Sequence, residues 1–226
     1  MTSINTLNDP RVAAALKRMF AEAERDDAVD ARGEAARASA GFDRKTATDQ
    51  ELADAWADLY MPISAEGGRL LYSLVRAVRP ATVVEFGMSF GISTLHLAAA
   101  VRDNGVGRVV TTELAASKVA AACETFAETG LDDVVTVLEG DALKTLPAEL
   151  GPDEYVGVVL LDGWKALYLP ALHLLEPSLA PGALVIADDA DMNSVKPYLD
   201  HVRDPRNGYQ STLFPVEDGM EISCRV

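Results

Sequence analysis

Residues 83–94 read Val-Val-Glu-Phe-Gly-Met-Ser-Phe-Gly-Ile-Ser-Thr, and the rest of the chain is organised around this stretch. The apolar start predicts the end of a strand, Gly87 and Gly91 allow a sharp turn, and Ser93 opens a helical pattern. Backbone N–H groups exposed at such a turn can bind a ligand beyond the end of the strand. The spacing lacks the middle glycine of the dinucleotide motif Gly-x-Gly-x-x-Gly, so it favours a nucleoside without a pyrophosphate.

Downstream of this stretch, strand-like and helical patterns alternate. They predict strands near 82–86, 108–113, 134–138, 155–161 and 183–188, and helices near 92–103, 115–129, 142–148, 166–178 and 194–203. Two β-rich runs, at 209–213 and 220–225, predict a closing hairpin because a segment with Pro and Gly joins them. The alternation predicts an α/β fold with a doubly wound parallel sheet that helices cover on both faces.

The composition limits the kind of protein and its partners. A chain of 226 residues with 49% hydrophobic content predicts one domain with a full core. The net charge of −15 argues against nucleic acid or an anionic membrane as a partner, because like charges repel. We find neither a leader-like start nor an apolar run near the roughly 18 residues of a membrane span, so we expect a cytoplasmic protein. Cys123 and Cys224 lack metal-ligand spacing and are expected to be ordinary thiols.

The first 60 residues predict helices that precede the alternating pattern. Apolar residues at helical spacing include Leu16 and Phe20 in one helix, and Leu52 and Trp56 in a second one that a capping box at Thr48 begins. Such apolar stripes must be buried against something. We therefore expect residues 1–60 to form a helical extension that acts as a lid or as a subunit contact, and we expect a homodimer.

Polar residues follow the second and third predicted strands, where an open α/β sheet binds its ligands. Glu113 is the first carboxylate after the second strand, and we predict that it accepts hydrogen bonds from a ribose diol. Asp141 and Ala142 follow the third strand. Asp141 can receive an adenine amino group or simply cap the next helix, and the residues alone leave both interpretations open.

Three carboxylates follow the fourth and fifth predicted strands. Asp162 ends one strand, and Asp188 and Asp189 end the next. Neighbouring carboxylates repel one another unless a proton or a cation neutralises them, which predicts a hard divalent ion, Mg²⁺ or in its place Mn²⁺ or Ca²⁺. The alternative is that Asp188 and Asp189 only stabilise a turn. The three histidines, His96, His173 and His201, are interpreted as structural.

Three motifs resemble those of one family. Residues 85–94, residues 161–168 (Leu-Asp-Gly-Trp-Lys-Ala-Leu-Tyr) and residues 216–221 (Val-Glu-Asp-Gly-Met-Glu) are similar to motifs of class I S-adenosylmethionine-dependent O-methyltransferases, in the catechol and caffeoyl-CoA group. The resemblance runs from about residue 61 to the C-terminus. It implies a cofactor-binding domain at 61–226 with a Rossmann-like methyltransferase sheet of seven strands, the last one antiparallel.

The resemblance also implies roles for individual residues. Asp162, Asp188 and Asp189 would bind the metal, Trp164 would lie at the edge of the adenine, and Lys165 would remove the proton of the acceptor hydroxyl. Lys165 could do so if the nearby cation and partial burial lower its pKa from the ordinary value of about 10.4. The residues expected to contact S-adenosylmethionine are Met61, Ile63, Glu85, Gly87, Ser89, Gly91, Ser93, Glu113, Asp141, Ala142, Asp162 and Trp164.

The chain departs from the family pattern at two places. It has Asp188-Asp189 where the family usually has Asp-Asn, which adds a negative charge at the metal. Residues 211–214, before the last hairpin, hold no acidic residue to bind the second hydroxyl of a catechol. The implied function is methyl transfer to a hydroxyl of a small, aromatic acceptor. A nicotinamide-dependent oxidoreductase and a catalytically silent cofactor-binding module are the alternatives.

Overall fold

The computed structural model describes residues 5–39, 42–43, 46–216 and 218–226, with no description of side chains from 27 to 39. Within these residues seven strands form one sheet in the order β3-β2-β1-β4-β5-β7-β6. The strands are β1 (Thr82–Phe86), β2 (Arg108–Glu113), β3 (Val135–Glu139), β4 (Val156–Leu161), β5 (Leu179–Ala187), β6 (Tyr209–Phe214) and β7 (Met220–Arg225). The predicted α/β sheet with an antiparallel last strand is therefore confirmed.

Helices connect and precede the strands. They are α1 (Pro10–Ser39), α2 (Asp49–Ala55), α3 (Ala65–Val78), α4 (Ile92–Asn104), α5 (Ala116–Thr129), α6 (Ala142–Glu149), α7 (Tyr168–Leu175) and α8 (Lys196–Val202). The predicted capping box is present, because the side chain of Thr48 accepts from the Glu51 backbone N–H and the Glu51 carboxylate accepts from the Thr48 N–H. No helix in the described ranges is both long and apolar enough to cross a membrane.

The order of the strands creates the crevice for the site. The five parallel strands run outward from β1, which pairs with β2 on one side and with β4 on the other. The chain leaves β1 toward one face of the sheet, where α4 lies, and leaves β4 toward the other face, where α7 lies. A crevice therefore opens between them, beyond the carboxyl ends of the two strands. β7 enters antiparallel to β5, with β6 paired along its outer edge.

Alternate residues of each strand supply two apolar cores, one on each face. Val83, Val109 and Leu160 point to one core, and Val84 and Val110 point to the other. Helices α1, α3, α4 and α5 cover the first face, and α6, α7 and α8 cover the second. Such two-sided burial explains why the strands are nearly continuous apolar runs in the sequence.

The N-terminal helix is part of this packing. Val12, Ala15 and Met19 of α1 are buried in the first core, and Leu16 and Phe20 pack against it. The apolar stripe of α1 is thus covered by the chain's own core and needs no partner subunit for its burial. A homodimer and the division of the chain at residue 60 stay predictions of the sequence.

β5 differs from its predicted limits. The strand starts at Leu179 rather than near 183, because Leu179 already pairs with Val156 before the register shifts and Val158 pairs with Leu184. Pro181 and Gly182 lie in the irregular part, with Gly182 at φ +78°. A Pro-Gly pair usually indicates a turn, but here it forms a bulge inside a strand.

Candidate active site

A cavity of about 620 Å³ lies at the carboxyl ends of the parallel strands. Most of the residues that the sequence assigns to the site line it. Apart from Met61, which lies between α2 and α3, they follow the ends of β1, β2, β3, β4 and β5. They are Met61, Gly87, Ser89, Glu113, Asp141, Ala142, Asp162, Trp164, Lys165, Asp188 and Asp189. The fold therefore gathers residues that lie up to 128 positions apart, from Met61 to Asp189.

The loops after β1 and β4 touch each other at the base of the cavity. Gly87 has φ +96°, and a Cβ added there would lie 2.5 Å from the Cα of Gly163. Any side chain at Gly87 would push the two loops apart. The predicted glycine turn is therefore present. Glycine is needed there for its positive φ and also because the neighbouring loop lies too close for a side chain.

Glu113 faces the cavity with its carboxylate already held in place. Its two oxygens accept the backbone N–H groups of Ser89, at 2.8 Å, and of Ala115, at 2.9 Å. A carboxylate offers about four lone-pair positions, so two remain for a ligand. This geometry suits the predicted hydrogen bonds to a ribose diol, which stay a prediction.

Asp141 caps α6. Its carboxylate accepts from the Leu143 N–H at 3.0 Å and pairs with Lys144 at 2.9 Å, and the bond to Lys144 is the main reason why its pKa lies below the ordinary value. The capping interpretation is confirmed. The adenine role stays a prediction that the position at the cavity wall allows.

Asp162, Asp188 and Asp189 form a compact cluster, here called the acidic cluster. Each offers a carboxylate oxygen within 4.8 Å of the others. The Lys165 ammonium lies 3.1 Å from an Asp162 oxygen and 2.6 Å from an Asp189 oxygen. Three negative charges thus face one positive charge, and oxygen ligands without sulfur or imidazole suit a hard divalent ion. The donor set fits the metal that the family resemblance implies.

Burial and repulsion act on Asp188 most strongly. The residue is 7% exposed, and burial together with the charges of Asp162 and Asp189 raises the pKa of its carboxyl. Asp189 has φ +54°, a conformation that Asn and Asp enter more readily than most residues. This backbone explains why Asp can occupy a position where the family usually has Asn.

The pKa of Lys165 lies above its ordinary value, whereas a general base at neutral pH needs a lowered one. Burial alone would lower the pKa of its ammonium, but the charge of Asp162, the Tyr168 phenol and Asp189 together raise the pKa above its ordinary value. The ammonium also donates to the Tyr168 hydroxyl at 2.9 Å. The two carboxylates that pair with the lysine directly thus oppose the lowering expected from a bound cation, and that lowering stays a prediction.

Four predicted cofactor residues do not line the main cavity. Ile63 and Ser93 line a separate small cavity of about 10 Å³, which shares Met61 and Ser89 with the main one. Glu85 is fully buried and accepts from the hydroxyls of Thr94 and Thr111, and burial raises its pKa to about 7. Gly91 begins α4, where an added Cβ would lie 2.8 Å from the Phe126 ring.

Other cavity residues were not predicted from the sequence. Thr48, Asp49, Gln50 and Ala53, at the start of α2, line the cavity although they belong to the expected extension. Lys118, only 2% exposed, lies on α5 with its ammonium 3.2 Å from the Ser89 hydroxyl. The sequence could have indicated Lys118, because a lysine on the apolar face of a helix needs a nearby polar partner.

The last hairpin also reaches the cavity. Asp218 lines it from the turn between β6 and β7, four positions beyond the stretch 211–214 that lacks an acidic residue. The neighbouring Glu217, part of the third motif, lies outside the described residues. A carboxylate is thus available to a ligand at this edge, although not where the family pattern has it.

Comparison with known proteins connects this site to a family. Residues 84–190 match the family model described as a methyltransferase domain. Catechol O-methyltransferase of Sus scrofa is 30% identical over 148 residues, which cover 63% of this chain and 78% of that protein. The chain belongs to the class I S-adenosylmethionine-dependent O-methyltransferases of the catechol and caffeoyl-CoA group. The predicted family is therefore confirmed.

One more relative and two solved structures show how far the likeness extends. Catechol O-methyltransferase B of Danio rerio is 31% identical over 180 residues, 74% of this chain, and the match spans 66% of that protein's length. The cofactor-bound Rv0187 from MTB is 25% identical, with a TM-score of 0.66 over 90% of this chain and 97% of that chain. The O-methyltransferase TomG of Streptomyces achromogenes, solved with SAM, is 24% identical. Its TM-score is 0.67 over 80% of this chain and 90% of that chain, which supports the fold.

Proposed function

We propose that this chain transfers the methyl group of S-adenosylmethionine to a hydroxyl of a small, aromatic, catechol-like acceptor, and that the reaction requires a divalent cation, Mg²⁺ or another hard ion. One observation carries the proposal. The acidic cluster and Lys165 lie in the same cavity as Glu113, the carboxylate that ends β2. The nucleoside end and the reacting end of a methyl donor would thus both find matching groups.

The acidic cluster would hold the cation through Asp162, Asp188 and Asp189. A hard divalent ion bound there would lower the pKa of an acceptor hydroxyl and make it a better nucleophile at neutral pH. Lys165 places one positive charge between Asp162 and Asp189. One positive charge does not offset three carboxylates. Burial and the charges of Asp162 and Asp189 still raise the pKa of Asp188.

The walls of the cavity would orient the two substrates. Glu113 would bind the ribose, Asp141 and Ala142 would lie beside the adenine, and Trp164 would cover its edge. Lys165 and the acidic cluster line the same cavity and would face the reacting end of the cofactor. Holding the acceptor oxygen, the methyl carbon and the sulfur in line supplies much of the rate enhancement in such transfers.

The proposed reaction is a direct displacement. An oxygen lone pair of the acceptor would form the new bond to the methyl carbon, and the electrons of the carbon–sulfur bond would return to sulfur, which would leave as a neutral thioether. The acceptor proton passes to Lys165 or to solvent. Lys165 could accept it only as the neutral amine, after its own proton has passed to solvent, and its pairing with Asp162 and Asp189 opposes that loss because it raises the lysine's pKa.

Exposed methionines at the rim of the cavity support the proposal of an aromatic acceptor. Met61 and Met192 line it and are 45% and 43% exposed, which is unusual for methionine and offers a soft apolar surface to a ring. Asp218 would accept a hydrogen bond from the second hydroxyl of a catechol. The relatives named catechol O-methyltransferase support the same acceptor class.

The two alternative functions are less well supported. A nicotinamide-dependent oxidoreductase would need a pyrophosphate site, whereas the turn at Gly87 lacks the middle glycine and the family is one of O-methyltransferases. A silent binding module would not need the acidic cluster together with Lys165. We propose a cytoplasmic location and a homodimer on the sequence arguments alone.

The test is methyl transfer to a catechol, measured by mass spectrometry of the product. Exhaustive chelation should abolish turnover, and Mg²⁺ should restore it. The variant Asp188→Asn should lower turnover strongly, whereas the matched change of the exposed Asp191→Asn, just outside the cluster, should not. Full activity after chelation would remove the metal from the mechanism, and no methylation of any hydroxylated aromatic would remove the proposed acceptor class.

A further inference from the structure

A second group of possible metal ligands lies away from the cavity. His173 and Glu176 belong to the end of α7 and the turn that follows, and His201 belongs to the last turn of α8. Each offers one ligand atom, and these atoms all lie within 4.8 Å of one another. We call this group the His-Glu-His cluster, and its residues do not line the main cavity.

We propose that the His-Glu-His cluster is a binding site for a first-row transition-metal ion, with Zn²⁺ as the ion of choice. Two imidazoles and one carboxylate form a donor set that zinc takes, with a fourth position open to water. Imidazole nitrogen suits zinc, whereas it is a poor ligand for Mg²⁺ and Ca²⁺. The two metal sites of the chain would therefore select different ions.

The geometry needs little adjustment. The His201 Nε2 atom already lies 3.0 Å from a Glu176 oxygen, close to the separation of about 3.3 Å between ligand atoms on a tetrahedral zinc with bonds of about 2.0–2.1 Å. The rings of His173 and His201 meet edge to face, with centroids 4.9 Å apart. His173 is exposed and can turn its ring toward the ion without disturbing the core.

Neighbouring residues hold two of the three ligands in place. The Tyr209 hydroxyl donates to the Glu176 carboxylate at 3.0 Å. The Asn207 amide donates to the His201 backbone carbonyl at 2.9 Å and so anchors the end of α8. Such fixing by surrounding hydrogen bonds is typical of metal ligands. The ion would link the end of α7 to the end of α8, and the Tyr209 hydrogen bond to Glu176 connects both to the start of β6.

The position of the cluster separates it from catalysis. Glu176 comes just before the start of β5, and Tyr209 begins β6, which runs parallel to β5 because both pair antiparallel with β7. The cluster thus lies at the edge of the sheet opposite the carboxyl ends that form the active site. A zinc ion there would act on the stability of the second face, and the methyl-transfer chemistry would not depend on it.

The test uses the full chain prepared without a histidine tag, in excess Mg²⁺ so that the acidic cluster is saturated. Equilibrium dialysis should find one Zn²⁺ per chain, and Co²⁺ used in its place should give the visible absorption of a four-coordinate site. His173→Gln should weaken binding by more than about tenfold, since even indirect ligand contacts contribute that much. The exposed Asp200→Asn, one position before His201, is the matched control and should bind zinc normally.

Two further measurements keep the proposal falsifiable. Zinc should raise the melting temperature of the unmodified chain and of Asp188→Asn, but not of His173→Gln. Circular dichroism of His173→Gln should match the unmodified chain, because the side chain is exposed. Zinc binding that survives in His173→Gln, that disappears in Asp188→Asn, or that is absent altogether would overturn the proposal.

Discussion

Glu113 holds the turn after β1 and faces the cavity at the same time. Its oxygens accept backbone N–H groups from Ser89 and Ala115, which fixes the carboxylate in one orientation before any ligand arrives. Such preorganisation lowers the entropic cost of binding. If Glu113 binds the ribose as proposed, it links the local geometry of two loops to the affinity for the cofactor.

Replacing Glu113 with glutamine should weaken binding of S-adenosylmethionine by roughly 1.5–3 kcal/mol, the scale of a lost charge-assisted hydrogen bond. Isothermal titration calorimetry measures the effect. The matched control is Glu139→Gln, because Glu139 pairs in register with Glu113 at the end of β3 but is exposed and outside the cavity. Equal affinity in the two variants would remove the ribose assignment.

Glu85 makes the stability of the protein depend on pH. Burial raises its pKa from 4.5 to about 7, so the folded chain keeps a proton that the unfolded chain loses. Its contribution is fully present below about pH 4.5 and is lost as the pH rises toward 7, by about 3 kcal/mol in total. Glu85→Gln cannot ionise and should lack this dependence.

Urea denaturation at pH 5 and pH 8 tests the role of Glu85. The free energy of unfolding of the unmodified chain should fall more between these values than that of Glu85→Gln, with Glu139→Gln behaving like the unmodified chain. If all three proteins show the same change with pH, Glu85 is already ionised in the folded state and its burial has been compensated by another group.

At the scale of elements, the sequence predicted what depends on local patterns. β1 and β2 match their predicted limits because each is a largely buried run rich in β-branched residues that glycine or a charged residue ends. The bulge at Pro181 and Gly182 could not be predicted, since it depends on the pairing of β5 with β4. Likewise, Thr48 and Gln50 reach the cavity only because the tertiary fold brings α2 over it. The raised pKa of Lys165 also depends on contacts between distant strand ends.

Helix α1 should contribute to stability through its buried stripe. Met19 is 2% exposed and belongs to the first core, so Met19→Ala should lower the free energy of unfolding by about 2–5 kcal/mol. Chemical denaturation measures the change, with the exposed Lys17→Ala as the control on the same helix. If Met19→Ala is no less stable than Lys17→Ala but changes the mass found by light scattering, α1 serves a subunit contact instead.

At the scale of the whole molecule, a ligand that binds the cavity between β1, β2 and β4 should stabilise the entire fold. At a concentration about 100 times its dissociation constant, S-adenosylmethionine should add about 2.7 kcal/mol, which raises the melting temperature by about 5–10 °C for a chain of this size. Differential scanning calorimetry measures it. NAD⁺ at equal concentration is the control, and a larger shift with NAD⁺ would favour the oxidoreductase over the methyltransferase.

If the acidic cluster binds Mg²⁺ as proposed, the lysine between Asp162 and Asp189 competes with the metal for the same carboxylates. An incoming Mg²⁺ would have to displace the Lys165 ammonium from both of them, so part of the metal's binding energy would be used to break two ion pairs. Lys165→Met should bind Mg²⁺ more tightly than the unmodified chain while turnover falls by about 10²–10⁴. Lys144→Met, at the cavity wall but far more exposed, should change neither. Weaker Mg²⁺ binding in Lys165→Met would mean that the lysine arranges the carboxylates for the metal, and the same side chain would then be an organiser of the site and not a rival for it.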